Sequence, residues 1–376
     1  MFAERLKRIG DILSENRRAV LALQWGVTTL YLVLQIGPLL APASGLAHWR
    51  DLLFWGVWEP GVFLATLLLG PLWCGLLCPD GAMTDAASRI GLGRKPAAWM
   101  RPKALPLLLF AGVTFFSALF DAHGAPYGAL LVVGGPSLGA ILTGLVYGRG
   151  KRVWCRHLCP VAGLFAILAR FAPLHFAVDR AAWDRAPRPK QPLDCPLLID
   201  VRRMTTIEKC SLCGQCSGHR DAVAMSWRAP GTEIAALRDE DFARWEAAGI
   251  AFVLFGLTFA AARAPVGEVG PRALALAGET LLGGSVILGL AALIAGGFFA
   301  KTLRVLYALI PLGGLGLVAG ALPASAAFAP ARIVLVGAGA LWSFRLGARA
   351  LPEKKVPFAV VCAALAALRM FSPWPI

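Results

Sequence analysis

Nine stretches of this chain are too long and too apolar for the interior of an ordinary soluble domain. They run over 19–41, 52–72, 104–121, 127–148, 246–262, 273–300, 305–323, 331–347 and 356–371. Crossing roughly 30 Å of hydrocarbon takes about 17–25 apolar residues. No water is available there to satisfy backbone N–H and C=O groups, so each crossing must be a helix. The expected class is an all-α integral membrane protein of about nine transmembrane helices. Composition agrees, with 57% hydrophobic and 16% charged residues, against about 45–50% and 25% in soluble domains. That balance excludes a disordered chain, a disulfide mini-protein and an ordinary soluble enzyme.

The net charge of +15 would suit a nucleic-acid partner, but its placement points to topology instead. With residues 1–18 inside, 32 of the 37 Lys and Arg residues fall in inside segments. The outside positions hold only Arg50, Arg263, Arg272, Arg332 and Arg369. Positive charge collects on the cytoplasmic side. The expectation is therefore a multi-pass protein of the bacterial inner membrane, with its N-terminus cytoplasmic and its C-terminus periplasmic. Its surroundings are membrane lipid, with no nucleic-acid partner. Residues 1–18 are charged and amphipathic and do not read as a cleaved leader.

Four parts follow. Residues 1–18 form a cytoplasmic segment, and 19–175 a four-helix membrane core. Residues 176–245 form a polar cytoplasmic segment with Pro187, Pro189, Pro192 and Pro196. Residues 246–376 add about five spans, with small-residue patterning such as Gly316-x-x-x-Gly320. A segment of about 70 residues needs a staple to fold, and its cysteines indicate one.

Eight of the nine cysteines fall in the cytoplasmic zone. That compartment is reducing, so metal or redox chemistry is the default rather than disulfides. Trp73-Cys74-Gly75-Leu76-Leu77-Cys78-Pro79 recurs 81 residues later as Trp154-Cys155-Arg156-His157-Leu158-Cys159-Pro160. In this internal repeat Leu77 also matches Leu158, and Arg89 matches Arg170. Each copy stands where an inward-going span meets the cytoplasm, and each is followed by a short helix-like stretch. Two related units would set four thiolates facing one another at one depth. Further on come Cys195-Pro196 and then Cys210-x2-Cys213-x2-Cys216.

The last spacing supplies the first three ligands of a bacterial ferredoxin loop, whose full run continues x3-C-P. Position 220 is Arg instead. Eight thiolates make two [4Fe–4S] sets. In the simplest partition Cys195, Cys210, Cys213 and Cys216 form one, and Cys74, Cys78, Cys155 and Cys159 the other. A crossed partition, with Cys78 or Cys159 completing the ferredoxin loop, stays open, and His219 is a third candidate. Structural zinc prefers paired C-x2–4-C or Cys/His knuckles and fits less well. No C-x-x-C-H for haem attachment occurs, and no mid-span pair of histidines. Cys362 reads as a small apolar packing residue.

At these motifs the chain resembles the membrane-bound polyferredoxin-like iron–sulfur proteins of the NapH, NosR, MauN and CcoG kind. These accompany periplasmic nitrate reductase, nitrous oxide reductase, methylamine dehydrogenase and cbb-type oxidase. The paired W-C-x3-C-P elements and the ferredoxin segment carry the likeness over about residues 50–230. It implies electron transfer, as quinol oxidation feeding a periplasmic reductase or as metal-centre maturation. The five C-terminal spans extend beyond the compact core of the group.

The leading expectation is an electron-transfer protein relaying between quinol or a cytosolic donor and a membrane or periplasmic redox protein, with quinone a further candidate cofactor. Its enzymatic form would be a quinol-dehydrogenase-like component. The alternatives are an accessory factor that reduces a metal centre of another enzyme, and a transporter or scaffold with structural clusters. His48, Glu59, Asp121 and His123 fall near the outer ends of the first four spans, as a quinol, proton or metal site or as interfacial solvation. Glu279 is the clearest acid inside a span. Gln24 and Gln35 suit bonds between helices. Trp73 and Trp154 suit interfacial anchors. Arg156 and His157 stand between two candidate ligands, either as positive charge that would raise a cluster's potential or simply as inside-positive residues.

Overall fold

A computed structural model describes residues 1–123, 127–187, 193–263, 267–322 and 326–371. Pro189, Pro192 and the last residue of the 305–323 run lie outside the described residues. The chain is 74% helical. Among the described residues, six helices are long and apolar enough to cross a membrane: Arg17–Leu40, Leu46–Leu69, Arg244–Ala262, Val269–Ile294, Phe299–Ala321 and Ala329–Ala350. Two further runs hold shorter helices, Leu105–Leu119 and Leu130–Val146. The last run holds Lys355–Phe371. Many large side chains on these helices face outward bare, among them Leu30, Val33, Leu281, Leu282 and Val334. An apolar exterior of that extent is costly in water and natural in lipid.

The two halves of the chain share one interior. Leu67, Leu107, Leu164, Ile167 and Leu168 from the first half pack in the same cluster as Leu254, Leu306, Ile310 and Leu312 from the second. Close approach between spans runs through Gly314, where a Cβ would stand 2.9 Å from the Leu168 side chain, and Gly339, at 2.9 Å from the Leu312 Cα. Gly316, one of the expected packing glycines, instead faces Arg369.

Between the halves lies a small two-stranded antiparallel sheet. Strand β1 (Leu174–Val178) pairs with strand β2 (Val223–Trp227), with Phe176 opposite Met225. Leu174, Phe176, Val223, Met225 and Leu212 form its core. The N-terminal helix Phe2–Glu15 covers that core with Leu6 and Leu13. Gly10 allows the approach: a Cβ there would lie 2.6 Å from Ser217 Oγ. Ser217 Oγ also donates to Asp11 Oδ1 at 2.8 Å. The first 18 residues are thus a lid on the 174–227 unit.

Candidate iron–sulfur site

The two C-x3-C-P motifs fold alike. In each, a five-residue helix carries the first cysteine: Leu72–Leu76 holds Cys74 and Val153–His157 holds Cys155. The second cysteine is the N-cap of a new helix, Pro79–Ile90 or Pro160–Ala169. Proline at the first helical position has no N–H to leave unpaired, and its φ is already helical. It also pushes the preceding residue into extended backbone. Cys78 accordingly has φ −67° and ψ 120°, and Cys159 φ −59° and ψ 118°. The Cys78 N–H donates to the Trp73 carbonyl at 3.0 Å, and the Cys159 N–H to the Trp154 carbonyl at 2.8 Å. One tight turn therefore offers two thiols, twice over.

The third motif is an irregular loop. Leu212 at φ 53° and Gly214 at φ 80° turn it sharply, and the Leu212 N–H donates to Cys210 Sγ at 3.4 Å. Cys195 is brought in by the second repeat. Arg152 N–H donates to the Pro196 carbonyl at 2.8 Å, and Lys151 Nζ to the Cys195 carbonyl at 3.2 Å.

Mutual electrostatic influence sorts the motif cysteines into two sets. Burial, the charge of Cys155 and other nearby charges push the Cys74 thiol up to about 12. Cys78 is pushed well up by burial and by Asp80, Cys74, Cys155 and Cys159. Cys159 responds likewise to Cys155 and Cys74. In the second group burial and then Cys213, Cys216 and Cys195 raise Cys210, while burial with Cys213 and Cys195 raises Cys216 to about 12. Cys195 thus stands with the 210–216 loop, and Cys78 and Cys159 stand with the other group. His219 packs on the Trp183 ring, centroids 4.9 Å apart. A buried thiol keeps its proton unless a metal takes the proton's place.

Neither group is drawn to a point. Among the described residues, no three Cys, His, Asp or Glu side chains converge as ligands of a single ion. Zinc would hold its sulfurs about 2.3 Å from one centre. A cubane instead takes one thiolate at each iron corner, which suits the open arrangement.

One cavity of about 1080 Å³ has Cys74, Cys78, Cys155, Cys159 and Cys210 in its wall. Around them Arg152 Nε and Nη2, Arg156 Nη1 and Ser211 Oγ are buried without a hydrogen-bond partner. Each such orphan costs about 1–3 kcal/mol. A thiolate-bound iron–sulfur cube is anionic and presents sulfides that accept hydrogen bonds, so these donors fit that group.

The two groups touch. Gly75 lies between Cys74 and Cys78, and a Cβ on it would stand 2.2 Å from the Ser211 carbonyl oxygen and 2.8 Å from Cys213 N. Gln24, in the first span, donates to the Gly75 carbonyl at 2.8 Å. Beyond the Cys159 helix, Arg170 is the centre of a buried charge cluster. It donates to both oxygens of Glu246 (2.9 and 2.8 Å), to Glu233 (3.2 Å) and to Glu208 (3.1 Å). Arg228 completes the cluster on Glu233, and the Tyr307 hydroxyl donates to Glu246. Its repeat partner Arg89 is exposed and pairs only locally, with Asp85 at 2.9 Å. The repeat alignment marked Arg170, but nothing in the sequence signalled its three carboxylates.

The remaining singled-out residues separate. Glu59, Asp121 and His123 line the far end of the same cavity. Glu59 is not at the outer end of its span but well inside Leu46–Leu69. His123 stacks on Trp55 at 4.1 Å, whereas His48 packs beside Trp49. Gln24 and Gln35 bond between helices, the latter to the Ala129 carbonyl at 3.4 Å. Glu279 is partly buried in Val269–Ile294. Cys362 is buried in the apolar interior shared by the two halves. Trp73 packs against Trp58, and Trp154 is buried against Gly139.

A family model described as a 4Fe-4S binding domain matches residues 52–99 and 132–178, each stretch enclosing one C-x3-C-P motif. This match supports an iron–sulfur protein. No curated protein and no solved structure matches it.

Proposed function

We propose that the chain is an integral membrane electron-transfer protein with nine spans and two [4Fe–4S] clusters on its cytoplasmic side. Cys74, Cys78, Cys155 and Cys159 would hold one; Cys195, Cys210, Cys213 and Cys216 the other. Electrons would pass between a quinol or a cytosolic donor and a membrane or periplasmic redox partner, in the manner of the polyferredoxin-like group it resembles. The observation that carries the reading is the contact of the first C-x3-C turn with the 210–216 loop, at Gly75 and Ser211.

Bound clusters would supply one-electron storage at potentials set by their surroundings. The chain supplies those surroundings. The Cys-Pro caps fix two thiols of each repeat relative to one helix axis. Arg152, Arg156 and Ser211 offer donors toward the cysteines, which favours the more negative, reduced charge state. Burial of the thiols keeps water away, and the Phe2–Glu15 helix closes the loop from the solvent side. The shorter helices Leu105–Leu119 and Leu130–Val146 are about 22 and 26 Å long at about 1.5 Å per residue. They can cross where neighbouring spans support their ends.

Anaerobic purification with iron and sulfide analysis tests the reading. It expects about eight irons and eight sulfides per chain. Zinc alone, or about four irons at full reconstitution, would overturn the two-cluster form.

A further inference from the structure

Five basic groups line this cavity: the cations Arg101, Lys103, Arg156 and Lys209, and His157, which burial and its positive neighbours hold toward the neutral form. They come from three separate pieces of chain. Arg101 and Lys103 lie in the turn before Leu105–Leu119, Arg156 and His157 within the second C-x3-C turn, and Lys209 beside Cys210. His157 feels the charges of Arg156, Lys209 and Arg101, and Lys209 those of Arg156 and Lys103. The five form one field. Glu208 is an acid in the same cavity wall, and Arg170 at 3.1 Å and Lys209 at 3.7 Å already engage it. Glu246, the other carboxylate whose charge reaches Lys209, is held by Arg170.

Arg101 and Lys103 are exposed, so the cavity reaches the surface here. Cys155 and Cys210, one from each cysteine group, are partly exposed in its wall. Membrane topology accounts for Arg101 and Lys103, which precede a span. Arg156 and Lys209 lie in an inside segment too, but they are half-buried in the cavity wall beside Cys155 and Cys210 rather than at a span end. A neutral quinol in the hydrocarbon gains nothing from the four positive charges. A flat anionic lipid surface would reach the two exposed residues but not the three set back in the cavity wall. A protruding acidic surface can reach all five, and complementary charge steers such encounters.

We propose that this basic rim is the docking face for a small acidic electron-carrier protein, which meets the chain beside Cys155 and Cys210. The proposal rests on the electron-transfer reading above. Each encounter moves one electron: the carrier's iron centre is oxidised and one centre of this chain is reduced, with no proton exchanged and no bond broken.

The test uses the full-length holoprotein in nanodiscs of neutral lipid, with an acidic [2Fe–2S] plant-type ferredoxin as the probe. Binding followed by biolayer interferometry should weaken about tenfold or more between 50 and 500 mM salt. The double variant R101E/K103E should lose binding, and R180E, on an exposed helix elsewhere, should keep it. Salt-independent binding, or full binding by R101E/K103E, would overturn the proposal. Reduced methyl viologen, a small cation, serves as the second arm. If it reduces the wild type and R101E/K103E alike, the variant's centres are intact and its lost binding belongs to the rim. If it leaves the spectra of the wild type unchanged, the electron-transfer reading fails while the binding result still decides the docking face.

Discussion

Gly75 and Ser211 meet so closely that a Cβ on the glycine would stand 2.2 Å from the serine carbonyl oxygen. The two residues are 136 positions apart, and each sits between or beside candidate cluster ligands. The contact is backbone against backbone, so nothing flexible can yield.

Gly75→Ala should therefore push the 210–216 loop off the first C-x3-C turn. Overpacking of this kind costs about 1–3 kcal/mol. The expected result is a lower melting temperature and a weaker magnetic interaction between the two reduced centres. Gly112→Ala, at an open position, should change neither.

Single cysteine replacements test the partition. Cys195→Ser should remove the centre of the 210–216 loop and leave about four irons per chain. Cys78→Ser should remove the other centre and leave the first. Iron analysis with EPR of each variant reads the outcome. If Cys78→Ser or Cys159→Ser instead erases the loop's signal while Cys195→Ser spares it, the crossed partition holds.

Arg170 and Arg89 occupy equivalent repeat positions in opposite settings. Arg170→Met leaves Glu246, Glu233 and Glu208 buried without their shared partner. Such removal costs about 3–5 kcal/mol. Arg89→Met removes an exposed guanidinium from Asp85, which keeps Arg152 at 3.8 Å, and should cost about 0–1 kcal/mol. Thermal unfolding of the two variants side by side checks the contrast.

The N-terminal helix shields the loop through Leu13, which lies where a Gly214 Cβ would come within 2.5 Å of its own Cβ. Leu13→Asp places a charge in that packed seam and should lift the helix. Bleaching of the visible absorbance in air should then accelerate several-fold, with iron content at isolation unchanged. Equal bleaching rates would remove the shielding role.

Local chemistry was legible where one residue acts on its neighbour. Apolar run length marked the six long apolar helices found among the described residues, and the motifs were followed by helices as expected, Pro79–Ile90 and Pro160–Ala169. The repeat was visible because both copies kept Trp, two Cys and Pro at identical spacing. Contacts made only in three dimensions were not legible. Nothing near Gly75 marks Ser211 as its neighbour, and nothing near Arg170 marks Glu233 and Glu246. Likewise, residues 1–18 show an amphipathic pattern but not the surface that pattern covers. Glu59 was read as a loop-edge acid because the span that holds it starts earlier, at Leu46, than its apolar run suggests. Partition of the cysteines was not legible either, since Cys195-Pro196, Cys78-Pro79 and Cys159-Pro160 are alike in sequence.

The central claim is two adjacent iron–sulfur centres on one membrane chain, and EPR of the fully reduced, anaerobically purified protein tests it most directly. The account predicts about two unpaired spins per chain, with about eight irons. Their signals should be split or broadened by mutual interaction and should simplify to a single unsplit signal in Cys195→Ser. One unsplit spin accompanied by about four irons in the wild type, or zinc with no spin, would contradict it.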